Sequence, residues 1–173
     1  MTKTSTLTTP NRVNAQMLHF ILASAMIFTA IVSSELAVAE EPVSKSYFGG
    51  VAIDGHDSVA YHHSDTIEQH IATKGDPSLT VNYKGAVWRF ASEQSRDQFS
   101  ANPEKYAPAY NGHCANALSL GEGLIKTDGT HWEIFDDKLY LFYAPRGRNR
   151  WLNAEDYRVY KVIADQAWQA LIQ

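Results

Sequence analysis

Cysteine is nearly absent from this 173-residue chain, which has Cys114 and no other. A single cysteine excludes a disulfide within the chain, although exported proteins normally use their cysteines in pairs. Four roles remain for the thiol: a buried inert side chain, a reactive group, a metal ligand, or one half of a bond to another molecule. Burial is the default expectation, because free cysteine is among the residue types most often found in protein interiors.

Runs of basic residues are also missing, and 15 Lys+Arg against 19 Asp+Glu give a net charge of −4. A mildly acidic domain without a basic stretch lacks the attraction for phosphate backbones that nucleic-acid-binding proteins use. The P-loop, the dinucleotide-binding glycine motif, the H-E-x-x-H zinc motif and C-x-x-C are absent as well. We therefore expect no nucleic acid as a partner and none of these common catalytic classes.

No apolar run has the length of about 20 residues that a transmembrane helix needs. The main run, residues 20–32, follows the basic residues Lys3 and Arg12 and precedes the small residues Ala37-Val38-Ala39. This order is typical of a signal peptide and predicts cleavage after Ala39. We expect an exported protein, periplasmic if the source is a Gram-negative bacterium, with no membrane contact after cleavage. An uncleaved N-terminal anchor is the alternative.

The rest of the chain has the length of one domain and shows no internal repeat. We expect a signal peptide over residues 1–39, a flexible leader over 40–48 and a single domain over 49–173. Its fold class is predicted as α+β, with two short β-hairpins, short helices and a long C-terminal amphipathic helix.

Apolar alternation and turn residues predict the two hairpins. The first pairs strands over 79–83 and 87–90 about Lys84-Gly85, and the second pairs 132–135 with 139–143. A helix over 93–101 is expected after the first hairpin, with Ser92 as its cap. Shorter and longer helices are expected over 114–120 and 154–171, and Arg146-Gly147-Arg148 is expected to interrupt regular structure.

The segment from Trp88 to Tyr106, WRFASEQSRDQFSANPEKY, resembles the YHS domain family. The resemblance extends to residues 52–61, 112–115 and 132–143, and it is closest to secreted, single-domain members. It implies a metal-associated module, in which the junction between strand and helix reads F-C-S-x-x-C-R-x-x-F. Here Ala91 and Ser95 stand at the two cysteine positions, and neither side chain replaces a thiolate. No metal site is therefore carried over to them.

A second candidate for a metal site is the pair His113 and Cys114. Imidazole and thiolate both suit copper or zinc. Adjacent side chains diverge on a helix or strand, so both can reach one ion only from an irregular loop, which Gly112 allows. A third ligand has to come from elsewhere, and we select His56. The other choices open at this point are His62, His63, His131, Asp54 and Asp57.

Three other groups of residues have structural interpretations. His62 and His63 are expected to be surface histidines before a turn, and Asp54, Asp57 and Asp65 to form turns and caps. Arg146, Arg148 and Arg150 form a local basic patch, which is expected to face solvent or to pair with Glu155 and Asp156; binding of a carboxylate or phosphate is the alternative. Non-catalytic binding of a metal ion or small ligand is the leading hypothesis for function. The alternatives are a thiol-dependent or redox-active enzyme using Cys114, and an interaction module without chemistry, whose protein partner is unknown.

Overall fold

The computed structural model describes residues 41–173, so the predicted signal peptide lies outside the described residues. No helix within them is long and apolar enough to cross a bilayer. The helices and strands follow in chain order: α1 Ser64–Gln69, β1 Asp76–Tyr83, β2 Ala86–Phe90, α2 Glu93–Ala101, α3 Pro103–Tyr106, α4 Ala115–Ser119, β3 His131–Phe135, β4 Lys138–Phe142, α5 Pro145–Leu152 and α6 Arg158–Ile172. Short 3-10 turns cover Ile53–Gly55, Ala60–His62 and Ala109–Gly112. The predicted α+β class is confirmed.

Both predicted hairpins are present as two-stranded antiparallel sheets, β1–β2 and β3–β4. Val81 pairs with Trp88 in the first, and Trp132 pairs with Leu141 in the second. The β3–β4 turn is built on Asp136, which has a φ of 47°, and on Asp137, whose φ is 59°. Short polar side chains tolerate this left-handed backbone conformation better than bulky ones, and the two aspartates therefore favour the turn.

The β3–β4 hairpin separates two apolar clusters. Leu139 and Leu141 lie in a cluster with Trp88, Phe90 and Phe99, which come from β2 and α2. Successive side chains of a strand point to opposite faces. Tyr140 and Phe142 consequently lie in the other cluster, which includes Trp151 of α5 and Trp168 of α6.

The helix α5 replaces the break that was expected at Arg146-Gly147-Arg148. Pro145 occupies its first turn, where a missing N–H costs nothing and the fixed φ suits a helix. Gly147 lies so close to α4 that an added Cβ would be 2.9 Å from the Cβ of Asn116. The glycine is therefore suited to close helix packing, and reading it as a break was wrong.

The stretch for which a flexible leader was predicted makes specific contacts. Val43 and Ser44 are buried, with exposed fractions of 4% and 1%. The Ser44 amide donates to the carbonyl of Asn111, and its hydroxyl accepts from the Thr127 amide at 3.0 Å. This stretch therefore connects two loops that are distant from it in sequence.

The carboxylate of Asp57 joins the N-terminal segment to the first hairpin. The side chain is fully buried. Its Oδ1 accepts from the amides of Val59 at 2.9 Å and Ala60 at 3.2 Å, and its Oδ2 accepts from the Ala91 amide at 2.9 Å. The predicted turn-forming role of Asp57 is present, and the bond to Ala91 adds a link across 34 residues.

Asp57→Ala should lower the free energy of unfolding by at least about 3 kcal/mol, because it removes three charge-assisted hydrogen bonds and leaves buried amides unpaired. Asp54→Asn is the control, because Asp54 has a φ of 52° that asparagine tolerates better than alanine. Its carboxylate pairs with Lys74 at 2.7 Å, and both side chains are more than half exposed. We expect it to cost at most about 1 kcal/mol. Urea denaturation measures both, and equal losses would contradict the assigned role of Asp57.

Candidate functional site

A groove of about 710 Å³ lies between α4 and the start of α5. Its volume falls within the range of about 300–1,000 Å³ that is usual for small-molecule sites. Ala117, Leu120 and Ile125 provide apolar surface, while Arg146 and Arg150 provide positive charge. Its lining therefore combines an apolar wall with a cationic end.

Cys114 lies in the lining of this groove, immediately before α4. The residue is only 3% exposed, as expected for a free cysteine. Its amide donates to the carbonyl of Ile125 at 2.8 Å, and its Sγ accepts from the amide of Tyr143 at 3.2 Å. The thiol is thus held between the end of β4 and the loop that follows α4.

Arg146 and Arg150 are four residues apart on α5, a spacing that puts side chains on one helix face. Arg150 donates to Asn116 Oδ1 and Ser119 Oγ, both at 2.9 Å, and its guanidinium carbon lies 3.8 Å from the centre of the Tyr160 ring. Neither arginine forms an ion pair with another residue between 41 and 173. Both charges therefore remain available to an anion.

Arg148 does not line the groove, unlike the two arginines on either side of it. Its side chain forms a partly buried ion pair with Glu133 at 2.7 Å and donates to the carbonyl of Trp132 at 2.9 Å. Of the two expectations for these arginines, exposure to solvent is met by Arg146, whereas none of the three pairs with Glu155 or Asp156. Asp156 contacts Arg158 instead, at 3.5 Å.

His113 follows the Ala109–Gly112 turn and is buried, with 3% exposure. Its Nδ1 lies 3.0 Å from the carbonyl oxygen of Tyr110. A proton on Nδ1 satisfies this carbonyl and leaves Nε2 with a lone pair. The ring lies 6.0 Å from the Trp168 ring, and the histidine is not part of the groove lining. Burial lowers the pKa of His113.

His56 is also buried, at 4% exposure, and its Nδ1 lies 3.2 Å from the carbonyl oxygen of Ile53. Burial lowers its pKa, and the nearby ammonium of Lys74 lowers it further. The His56 ring lies beside Gly129, in the loop before β3. The carbonyl of Gly129 accepts a hydrogen bond from the Tyr61 hydroxyl at 2.6 Å. These contacts give His56 a structural role in fixing the loop before β3.

The three predicted metal ligands therefore have different surroundings. Cys114 lines the groove, whereas His113 and His56 are bound to backbone carbonyls outside it. Among the residues that the structure describes, no group of three or more His, Cys, Asp or Glu side chains is arranged to hold a metal ion. This arrangement does not fit a three-ligand copper or zinc centre, and binding of either metal by Cys114, His113 and His56 stays a prediction.

In metal-linked YHS modules, two cysteines stand at the junction between the returning strand and the helix. Here the corresponding junction, between β2 and α2, is fixed by hydrogen bonds. The amide of Ala91 donates to Asp57, and Ser92 caps α2 by accepting from the Ser95 amide at 3.1 Å. Ser95 is buried, and its hydroxyl lies 3.1 Å from that of Ser92. Of the two cysteine positions, Ser95 is thus packed inside the hairpin–helix unit, whereas Ala91 is exposed and is held through its backbone amide.

His62 differs from the surface histidine that its sequence context predicted. Its ring is partly buried, packs edge-on against Tyr106 at 5.6 Å, and has an Nε2 atom that is shielded from solvent. Burial, with smaller contributions from Lys105 and Lys138, lowers its pKa to about 4. His63, by contrast, is exposed as predicted.

Sequence reasoning singled out Cys114 and offered the patch of Arg146, Arg148 and Arg150 as a carboxylate or phosphate site, but it missed the apolar part of the groove. Nothing in the sequence marks the groove residues Leu120, Ile125 and Tyr143 as parts of one site. Tyr143 meets the other two only because the segment after β4 packs against α4. One signal in the sequence was overlooked. Proline is common in the first turn of a helix, so Pro145 indicates a helix that places Arg146 and Arg150, four residues apart, on one face.

We expect the protein to lose stability as the pH falls from about 6.5 to 4. His56, His62, His70 and His113 have lowered pKa values in the fold, while the unfolded chain has the ordinary value of about 6.5. Between these values the unfolded state binds more protons, so protons favour unfolding and stability rises with pH.

Urea denaturation at several pH values measures this slope. His62→Phe keeps an aromatic ring against Tyr106 and removes the titrating group, so it should make the slope shallower. A free energy of unfolding that stays constant from pH 7 to pH 5 would contradict the lowered pKa values of these four histidines.

Comparison with known proteins locates one recognisable module. Residues 69–110 match the sequence model of the YHS domain. No curated protein and no solved structure matches the chain. The match covers the first hairpin, α2 and α3, and it ends before Cys114 and the groove. The chain thus carries a YHS domain over residues 69–110, as its hairpin and capped helix predicted.

Proposed function

We propose that this YHS-domain protein binds a small molecule with an apolar body and an anionic group in the groove beside Cys114, without transforming it. The observation that carries the proposal is the combination, in one groove of about 710 Å³, of an apolar wall with two arginines. Such a lining matches sites that bury an apolar ligand and orient it with a few polar groups.

The apolar wall favours a ligand with a hydrocarbon part. Leu120 remains 50% exposed, although its neighbours Ala117 and Leu118 are buried. Covering this leucine together with Ile125 would remove apolar surface from water, at about 25 cal/mol per Å². A short alkyl chain or a ring is the simplest body that fits this contact.

The cationic end favours an anionic group on the ligand. Arg150 is held in place by Asn116, Ser119 and the Tyr160 ring, so its guanidinium is ordered before a ligand arrives. Arginine recognises carboxylates through paired N–H donors, which makes a carboxylate a suitable anion. Glu122 also lines the groove and disfavours an anion near its own position, which orients the ligand toward α5.

Binding without catalysis is favoured by the surroundings of the thiol. The Cys114 Sγ accepts a hydrogen bond from a backbone amide, and no side-chain base among residues 41–173 contacts it. Thiol catalysis requires a base within hydrogen-bond reach, and the ring of the adjacent His113 is committed to Tyr110. A thiol-dependent enzyme is therefore less well supported than a binding protein.

Two further parts of the hypothesis rest on sequence alone. Export is proposed from the basic, apolar and small-residue order of residues 1–39, and a periplasmic location follows from it in a Gram-negative source. Metal association is proposed from the resemblance to YHS modules and from the residue types at positions 113 and 114.

Octanoate should bind the purified protein, as measured by isothermal titration calorimetry, because it combines an alkyl chain with a carboxylate. Arg146→Gln should weaken binding at least about tenfold, since a hydrogen bond to a charged group contributes about 1.5–3 kcal/mol. Octanol, which lacks the charge, should bind more weakly and should not respond to this substitution.

Arg158→Gln is the matched control, because Arg158 lies on α6 outside the groove lining. It should leave octanoate affinity unchanged, while Leu120→Ser should weaken both ligands without a large loss of stability. Equal affinities of octanoate and octanol, or equal effects of the two arginine substitutions, would contradict the proposed site.

The metal prediction has its own experiment. Copper and zinc are measured in protein purified without an affinity tag and in Cys114→Ser, before and after addition of each metal. A higher content in the unsubstituted protein would support Cys114 as a ligand. Elemental analysis measures the content, and equal and negligible values in both proteins, with no uptake on addition, would contradict the metal hypothesis.

A further inference from the structure

Two aromatic side chains project from the turn over residues 46–50, whose base is the antiparallel bridge between Lys45 and Ala52. Tyr47 is 88% exposed and Phe48 is 84% exposed, whereas no other large apolar residue in the described part of the chain exceeds 68%. Their rings pack edge to face, with centroids 4.9 Å apart. The turn therefore carries a small apolar surface, which we call the aromatic tip.

Hydrogen bonds hold the backbone of the aromatic tip in one conformation. The Ser46 amide donates to the carbonyl of Val51 at 2.8 Å. The Ser46 hydroxyl donates to the carbonyl of Phe48 at 2.7 Å and accepts from the Val51 amide at 3.2 Å. Gly49 and Gly50 close the turn with φ values of 80° and 62°, which residues with a side chain rarely adopt. The turn thus presents both rings outward before any partner arrives.

The aromatic tip lies at the end of the fold where the described chain begins. The carboxylate of Glu41 contacts the Lys84 ammonium at 2.6 Å, and the Lys45 ammonium donates to the carbonyl of Gly85 at 3.0 Å. The carbonyl of Gly50 accepts from an amide at the start of β2, also at 3.0 Å. The entry of the chain, the β1–β2 turn and the aromatic tip therefore share one end of the fold.

The sequence before Glu41 can bring a membrane within reach of this end. In the anchor alternative for residues 1–39, the apolar run of residues 20–32 stays in the bilayer, and only residues 33–40 separate it from Glu41. A spacer of this length spans at most about 30 Å when it is fully extended. A bilayer that holds the run consequently lies close to the end of the fold that carries the aromatic tip.

A lipid surface suits the aromatic tip better than a protein partner does. A specific protein interface buries at least about 1,000 Å² in total, whereas two aromatic side chains bury only about 150–250 Å² each. The interfacial layer of a bilayer needs no complementary surface, and tyrosine is enriched there. At the base of the tip, Lys45 forms no ion pair with another residue between 41 and 173. Its ammonium is therefore available to lipid phosphates.

We propose that the aromatic tip is a membrane-contact element, which inserts Tyr47 and Phe48 into the interfacial layer of a phospholipid bilayer. Two rings bind such a layer only weakly by themselves, so a second attachment has to keep the domain at the membrane. The retained apolar run of residues 20–32 supplies that attachment, which selects the anchor alternative over cleavage after Ala39. Net charge and the lengths of apolar runs, on which the expectation of no membrane contact was based, do not reveal a tip of two residues.

Tryptophan fluorescence of the full-length chain in phosphatidylcholine vesicles tests this contact. The four native tryptophans are at most 7% exposed, so lipids with brominated acyl chains should quench them little. Phe48→Trp should add an emission that these lipids remove. Val162→Trp is the matched control, because Val162 is an apolar residue on α6 that is 53% exposed. Its added emission should not be quenched.

A second substitution and the N-terminus of the exported protein complete the test. Tyr47→Ser, added to Phe48→Trp, should reduce the quenching because it removes half of the apolar tip. Both positions are exposed, so the free energy of unfolding should stay unchanged, which urea denaturation checks. The proposal is overturned if Phe48→Trp is not quenched, as for a tip that binds a protein, or if Val162→Trp is quenched equally. Mass spectrometry that finds the exported chain beginning at Glu40 would also overturn it.

Discussion

The buried carboxylate of Asp57 is the interaction on which the N-terminal half of the described structure depends. It accepts hydrogen bonds from Val59, Ala60 and Ala91, and so fixes an irregular segment to the end of β2. Tyr61 and His62 come directly after this segment in the sequence. The Tyr61 hydroxyl then donates to the carbonyl of Gly129, and the His62 ring packs edge-on against Tyr106. One side chain therefore fixes the segment that makes both of these contacts.

This link also changes the interpretation of the YHS junction. In metal-linked modules of the family, two cysteines stand between the returning strand and the helix. Here Ala91 and Ser95 hold those positions, and the backbone at Ala91 is bound by Asp57 across the core. The hairpin, the Ser92 cap and α2 keep their arrangement through hydrogen bonds and the packing of Phe90 and Phe99. The module can thus act as a folding unit, and the proposed ligand site lies beyond it in sequence.

The patterned parts of the fold were predictable from sequence. Alternating residues predicted both hairpins, and the Ser92 cap predicted the start of α2. The C-terminal helix was expected over 154–171 and is present as Arg158–Ile172. By contrast, α5 was missed because Gly147 suggested a break, although its missing side chain serves close packing against Asn116. Local patterns carry no information on such a contact between distant helices.

The candidate sites were less predictable for the same reason. Cys114 was singled out by its rarity, but Tyr143, Arg146 and Arg150 reach its groove from the segment after β4 and from α5. His62 was read as a surface residue, since nothing near it in sequence announces the Tyr106 ring that covers it. His113 and His56 attracted attention as ligand types, yet backbone carbonyls orient both rings. Burial and long-range hydrogen bonds, rather than residue type, decide the role of each of these side chains.

The most direct test of the central claim is to measure where octanoate lies on the protein by intermolecular nuclear Overhauser effects. The exposed apolar residues Val159 and Val162 of α6 provide an internal comparison, since they would attract an alkyl chain without specificity. The account predicts contacts from the octanoate methylenes to the methyl groups of Leu120 and Ile125, and none to α6. Contacts to α6 alone, or contacts spread over all exposed apolar residues, would contradict it.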